Sequence, residues 1–177
     1  MPSINFIPPS PKKALFLDRD GIINVDTGYV WKPSELVFRA ETIPFLQQMR
    51  EHYVFIIITN QSGVAREMYT VSDVYRFHAH LTLHLKPHEI DILDIFFCPH
   101  HPAYGSSCLC RKPSSLMIEK AAAKHGISLT DSWMIGDKIT DVDAGRGAGC
   151  RTIYLSETPY EKASFSGNSL LAAIPLL

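Results

Sequence analysis

The sequence has little excess charge of either sign: 17 lysines and arginines stand against 18 aspartates and glutamates in 177 residues, a net charge of −1. That removes the broad cationic field with which proteins grip nucleic acid or anionic lipid, so neither is expected as a partner. Any anionic ligand must be held by a few placed groups. Long apolar runs are missing too. No stretch approaches the ~20 consecutive apolar residues of a membrane span, and the opening MPSINFIPPSP has neither the basic start nor the apolar stretch of a secretory signal. Repeats, low-complexity tracts and a dividing linker are also absent. The expectation is a cytoplasmic monomer: a loose arm over residues 1–11, then a single domain over 12–177.

What is present is enough apolar content, 46%, to bury a substantial core. Short runs that are apolar on both faces predict strands over Lys13 to Leu17, Tyr53 to Thr59, Ile95 to Cys98, Trp133 to Ile135 and Thr152 to Leu155. Amphipathic stretches between them predict helices over 42–51, 71–86, 115–125 and 140–147. Thr70 to Asp73 forms a capping pattern before the second, and Gly126 closes the third. Alternating strands and helices predict an α/β sandwich, three layers around a mostly parallel central sheet. In such sheets ligands bind beyond the carboxyl ends of the strands, so the residues following each strand are the candidates.

Four such places carry reactive groups. Asp18 and Asp20 follow the first strand one residue apart, where a strand aims i and i+2 to one side and Gly21 permits a sharp turn. One carboxylate can attack a phosphoryl group while the other moves a proton; the plainer reading is a solvated turn. Thr59, Asn60, Gln61, Ser62 and Gly63 offer a hydroxyl and amides to phosphate oxygens, or simply cap a helix. Arg111 and Lys112 can grip and neutralise phosphate, or be solvated surface. Asp137 after the Trp133–Ile135 run offers a hard carboxylate to a cation, and Asp141 a second acid one helical turn on, unless it is a cap.

The cysteines give a separate signal. Cys98, His100, Cys108 and Cys110 are two closely spaced pairs with the composition of a closed three-thiolate, one-imidazole zinc site. A disulfide is the competing account, yet one bridge among these three cysteines leaves an odd thiol, and cytoplasmic thiols stay reduced. Alternation along an extended chain favours His100 over its neighbour His101. Such an ion would be structural, tying the loop 98–110 into shape and aiming Arg111 just past its last ligand. Cys150 reads as packing. His78, His80, His84 and His88 read as surface or half-buried packing, and Phe55, Phe96, Phe97 and Trp133 as core.

In order and spacing, Asp18-x-Asp20, Thr59, Lys112 and Gly136-Asp137-x-x-x-Asp141 resemble the four motifs of the haloacid dehalogenase superfamily of phosphatases. The strings DRDGIINVDTGYV, ITNQSGVAR, CPHHP, CRKP and GDK look most like its heptose bisphosphate phosphatase branch, with histidinol phosphate phosphatase as a sister branch. The resemblance implies a Rossmann-like sandwich without a large cap, and hydrolysis of a phosphomonoester such as a small sugar bisphosphate. It implies Asp18 as nucleophile, Asp20 as general acid and base, and Tyr29 and Trp31, after the first loop, in a segment of substrate-facing elements. Magnesium would be held by Asp18, the main-chain carbonyl of Asp20 and Asp137. Thr59, Asn60 and Lys112 would hold phosphoryl oxygens, while Arg111 and Lys138 would meet the sugar or its second phosphate. Two features depart from the branch: the span between His100 and Cys108 is shorter, and Ser114-Ser115-Leu116 replaces the usual Pro-Gly. The alternatives are a histidinol phosphate phosphatase or another small sugar-phosphate phosphatase; from a different class, a phosphoaccepting signalling module has little use for Asp20. A zinc-bearing nucleic-acid binder lacks the basic clusters it would need.

Overall fold

A computed structural model of the chain describes residues 12–105 and 108–177; the arm expected over 1–11 lies outside the described residues. Six strands, β1 Ala14–Leu17, β2 Val54–Asn60, β3 Ile92–Cys98, β4 Trp133–Gly136, β5 Arg151–Leu155 and β6 Phe165–Gly167, form one sheet in the order β3-β2-β1-β4-β5-β6. The helices are α1 Thr42–Met49, α2 Val71–Leu85, α3 Leu116–His125 and α4 Ile139–Ala148. Every strand pairing is parallel, a stricter result than the mostly parallel sheet expected.

The three layers follow from alternation along the strands. Leu15 and Leu17 of β1, with Phe55 and Ile57 of β2, pack against Phe45, Leu46 and Met49 of α1 and Phe77, Leu81 and Leu85 of α2. Ala14, Phe16, Ile56 and Ile58 point the other way, against Met117, Ile118 and Ala121 of α3 and Ala144 of α4. Burying both faces explains why these strands read as unbroken apolar runs. Thr70 caps α2 as expected, accepting from the Asp73 N–H while the Asp73 carboxylate accepts from the Thr70 N–H at 2.9 Å. Gly126 closes α3 in the left-handed region, at φ 66°.

Two elements differ from expectation. β3 begins at Ile92, three residues early, because an edge strand tolerates the polar Asp94 and a register shift against Phe55 and Ile56. β6, three residues with a glycine, is too short for periodicity to reveal. Among the described residues no helix is long and apolar enough to cross a membrane.

Register sets the working end of the molecule. Leu17 of β1 lies level with Ile57 of β2 and Ile135 of β4, so the chains leaving these strands emerge side by side.

Candidate active site

Asp18 is the first residue past β1, yet its N–H still donates to Ile135 O at 2.9 Å, which keeps its side chain in a fixed, buried position beside β4. Lys112 approaches from the far loop. Its buried ammonium lies 2.9 Å from Asp18 Oδ1 and 2.6 Å from Asp141 Oδ1, and donates to Ile58 O at 2.6 Å. The ammonium therefore sits between two carboxylates and a main-chain carbonyl. Asn60 braces this lysine, accepting from its main-chain N–H at 3.1 Å and donating to its carbonyl at 3.2 Å. Burial alone would discharge Lys112, but the Asp141 and Asp18 charges outweigh it and hold the amine above the usual lysine range. Burial pushes the Asp18 carboxyl up to about 6, against the pull of Lys112 and with the push of Asp141.

Asp20 faces a different set. Its carboxylate accepts from Arg19 Nε at 3.0 Å and Nη2 at 2.8 Å, from Asn24 Nδ2 at 3.0 Å and from Gln61 Nε2 at 2.9 Å. Gln61 also donates to Thr59 Oγ1 at 2.9 Å and accepts from the Tyr69 hydroxyl at 3.0 Å. Asp20 is thus clamped from three directions within reach of the buried Asp18.

Asp18, Asp137 and Asp141 each offer an oxygen to a common point, with the three atoms within 4.8 Å of one another. Asp137 Oδ1 is buried with no hydrogen-bond partner. Its pKa is raised, chiefly by burial, against the pull of Lys138 and with the push of Asp18. A buried, unpartnered carboxylate oxygen next to two more carboxylates is the donor chemistry a hard divalent cation takes. Gly21 makes the closeness possible: at φ 85° it turns the first loop so tightly that a Cβ there would sit 2.0 Å from Asp137 Oδ2.

The second cluster lies on the loop leaving β3. Cys98 Sγ is 3.5 Å from Cys108 Sγ and 3.0 Å from Cys110 Sγ, and His100 Nδ1 is 3.6 and 3.4 Å from Cys98 and Cys110 Sγ. None of these cysteines is in a disulfide. These spacings are shorter than the edge of about 3.8 Å that a Zn–S bond near 2.3 Å gives a tetrahedron, but three thiols and one imidazole gathered at one point are the donor chemistry that zinc takes. His101 is engaged elsewhere, accepting from Ala103 N–H at 3.2 Å and facing Arg66 Nη2 at 3.3 Å. Arg111 donates to His100 O at 3.0 Å, which ties its guanidinium to this loop.

Between the clusters opens a cavity of about 900 Å³, lined by Asp18, Asp20, Tyr29, Asn60, Arg111 and Lys138 among others. Lys138, at the rim, lies 3.3 Å from Asp26. Among known proteins, a HAD-hydrolase-like family model matches residues 109–165, the stretch holding Lys112, Asp137 and Asp141. The D-glycero-alpha-D-manno-heptose-1,7-bisphosphate 7-phosphatase of Photorhabdus laumondii is 37% identical, with 90% of this chain and 91% of the relative covered. The chain belongs to the haloacid dehalogenase-like phosphatases. A Mesorhizobium loti structure described as HAD-like phosphatase superposes with a TM-score of 0.84 at 30% identity, covering 96% of this chain and 88% of its own. The D,D-heptose 1,7-bisphosphate phosphatase of B. bronchiseptica, complexed with magnesium and phosphate, gives 0.81 at 25% identity, with 93% and 97% covered.

In this haloacid dehalogenase-like site several residues carry more than the sequence disclosed. Arg19, a mere spacer in the Asp-x-Asp motif, is fully buried and grips Asp20. Asp141, four residues past Asp137, pairs with Lys112; the four-residue spacing was the available signal. His78 is buried beside Arg19, deeper than the surface or half-buried packing expected, because α2 turns that face onto the sheet. Trp31 stacks on Tyr69 at 5.8 Å, and of the two aromatics read as substrate-facing, Tyr29 is the one lining the cavity.

Proposed function

We propose that the chain hydrolyses the 7-phosphate of D-glycero-D-manno-heptose 1,7-bisphosphate by way of an aspartyl phosphate on Asp18. The observation that carries this reading is Lys112, buried between Asp18 and Asp141 beside the unpartnered Asp137 oxygen. Such a floor suits a phosphoryl group more than a neutral substrate, because it joins a nucleophile, a cation and acids for a metal in one buried point. Asp18 attacks phosphorus in line; Asp20 gives its proton to the leaving alkoxide and then takes one from the water that cleaves the acyl phosphate. Thr59, Asn60 and Lys112 hold phosphoryl oxygens in the charge-spread transition state, where positioning and electrostatics supply most of the acceleration. Magnesium held by Asp18, the Asp20 carbonyl and Asp137 would add positive charge to a phosphoryl oxygen. Arg111 and Lys138 at the mouth meet the sugar or its second phosphate. A structural zinc on Cys98, His100, Cys108 and Cys110 would hold the loop that carries Arg111. We read the enzyme as a single domain over residues 12–177, and as a monomer.

Released phosphate, measured with purified protein and magnesium over heptose bisphosphate, histidinol phosphate and common sugar phosphates, tests the assignment. Preference for heptose bisphosphate is expected. Equal, feeble release from all of them would remove the substrate, and no release from any would remove the enzyme. Histidinol phosphate is included because the span between His100 and Cys108 departs from the heptose branch.

A further inference from the structure

Arg19 has five guanidinium hydrogens to place and no access to water. Nε and Nη2 go to Asp20, and Nη2 also donates to Val30 O at 2.6 Å. Nη1 points the other way, toward His78 Nε2 at 3.4 Å, its one acceptor among the described residues. The guanidinium lies over the Phe77 ring, with Cζ 4.5 Å from the centroid. Two consecutive residues of α2, Phe77 and His78, therefore contact Arg19.

We propose that His78 is a positioning residue of the active site: its Nε2 lone pair fixes the Arg19 guanidinium, and Arg19 fixes the Asp20 carboxylate. The chemistry allows one form of the ring. Arginine stays protonated and only donates, so Nε2 must accept, and the imidazole is neutral with its proton on Nδ1. Its surroundings agree: Phe77 and Phe97 meet the ring edge-on at 6.4 and 5.7 Å. Burial, aided by the Arg19 charge, pushes the His78 pKa down to about 3, so the ring keeps its acceptor throughout the working pH range.

This inference rests on Asp20 as general acid and base. Removing the acceptor strands a buried, charged N–H and lets the guanidinium, and with it Asp20, drift from the line of proton transfer. Substrate phosphate is held by other groups, so the loss falls on turnover and not on binding. Asn24 and Gln61 still hold Asp20, which limits its size.

The test compares wild type, His78→Leu and His78→Gln with magnesium and heptose bisphosphate, alongside nitrogen-15 NMR of the wild-type imidazole. For His78→Leu, kcat should fall about tenfold with KM within about twofold; His78→Gln, whose amide oxygen restores an acceptor, should recover to within about threefold of wild type. The NMR spectrum should show an Nδ1-protonated neutral ring near pH 7. Unchanged kcat in His78→Leu, equal losses in Leu and Gln variants that follow their melting temperatures, or a protonated Nε2 each overturn the proposal, the last even if the variants do not fold. An active wild type matched by His78→Leu sinks this inference alone. A wild type that releases no phosphate sinks the proposed function as well.

Discussion

The carboxylate cluster and the thiol cluster lie at the same end of the sheet but are built in opposite ways. Asp18, Asp137 and Asp141 arrive from two strand ends and the first turn of a helix, and Lys112 from a third loop. Only folding brings them together. Cys98, His100, Cys108 and Cys110 lie within thirteen residues of one loop and meet by local geometry. The first group is buried except for a half-buried Asp137, hard in donor type and holds the Lys112 ammonium; the second is partly exposed and soft. A site that must open to a substrate is thus built by the rigid sheet, whereas the loop beside it needs a fastening of its own.

That contrast yields ranked expectations. Asp18→Asn removes the proposed nucleophile without changing its shape, and kcat should fall by about 10⁴-fold or more in a phosphate-release assay. Lys112→Met should also abolish most turnover. It leaves Asp18 and Asp141 buried without their cation, and chemical denaturation should report a loss of about 3–5 kcal/mol. Cys108→Ser acts on the other cluster: metal analysis should show zinc falling well below one equivalent, with a lower melting temperature and roughly tenfold weaker turnover through a displaced Arg111. Full retention of zinc would remove the proposed ligand set.

The smallest effect is a difference in sign with pH. The Asp18 pKa, raised from 3.8 to about 6, means the folded chain without divalent cation holds a proton that the unfolded chain has released. The associated stability is complete below about pH 4 and is lost as pH rises through about 6, at most about 3 kcal/mol. Thermal melts in chelator should show this slope in wild type and not in Asp18→Asn. If the proposed zinc is bound, melts without chelator should show the thiol cluster responding in the opposite sense, since protons would compete with the metal for thiolates and acid would weaken the loop.

The same contrast explains what could be read in advance. Cys98, His100, Cys108 and Cys110 were legible because their contacts are local, and the alternation that favoured His100 is what turns His101 toward Arg66. Asp18, Asp20, Lys112 and Asp137 were legible as the ends of apolar runs, through motif order. The Lys112 to Asp141 pair was not, since it depends on which strands become neighbours. The burial of His78 was marked but overlooked: Val74, Phe77, Leu81 and Leu85 at helical spacing put position 78 on the apolar face of α2, while its reading was shared with His80, His84 and His88. β6 escaped because three residues hold no period.

Gly21 performs no chemistry, yet no other residue type fits there. A left-handed φ of 85° penalises any side chain by roughly 1–2 kcal/mol, and a Cβ would stand 2.0 Å from the Asp137 carboxylate. In a mutational scan this inert position would therefore behave like a reactive one. Intolerance there would record how closely two loops approach, not what the residue does.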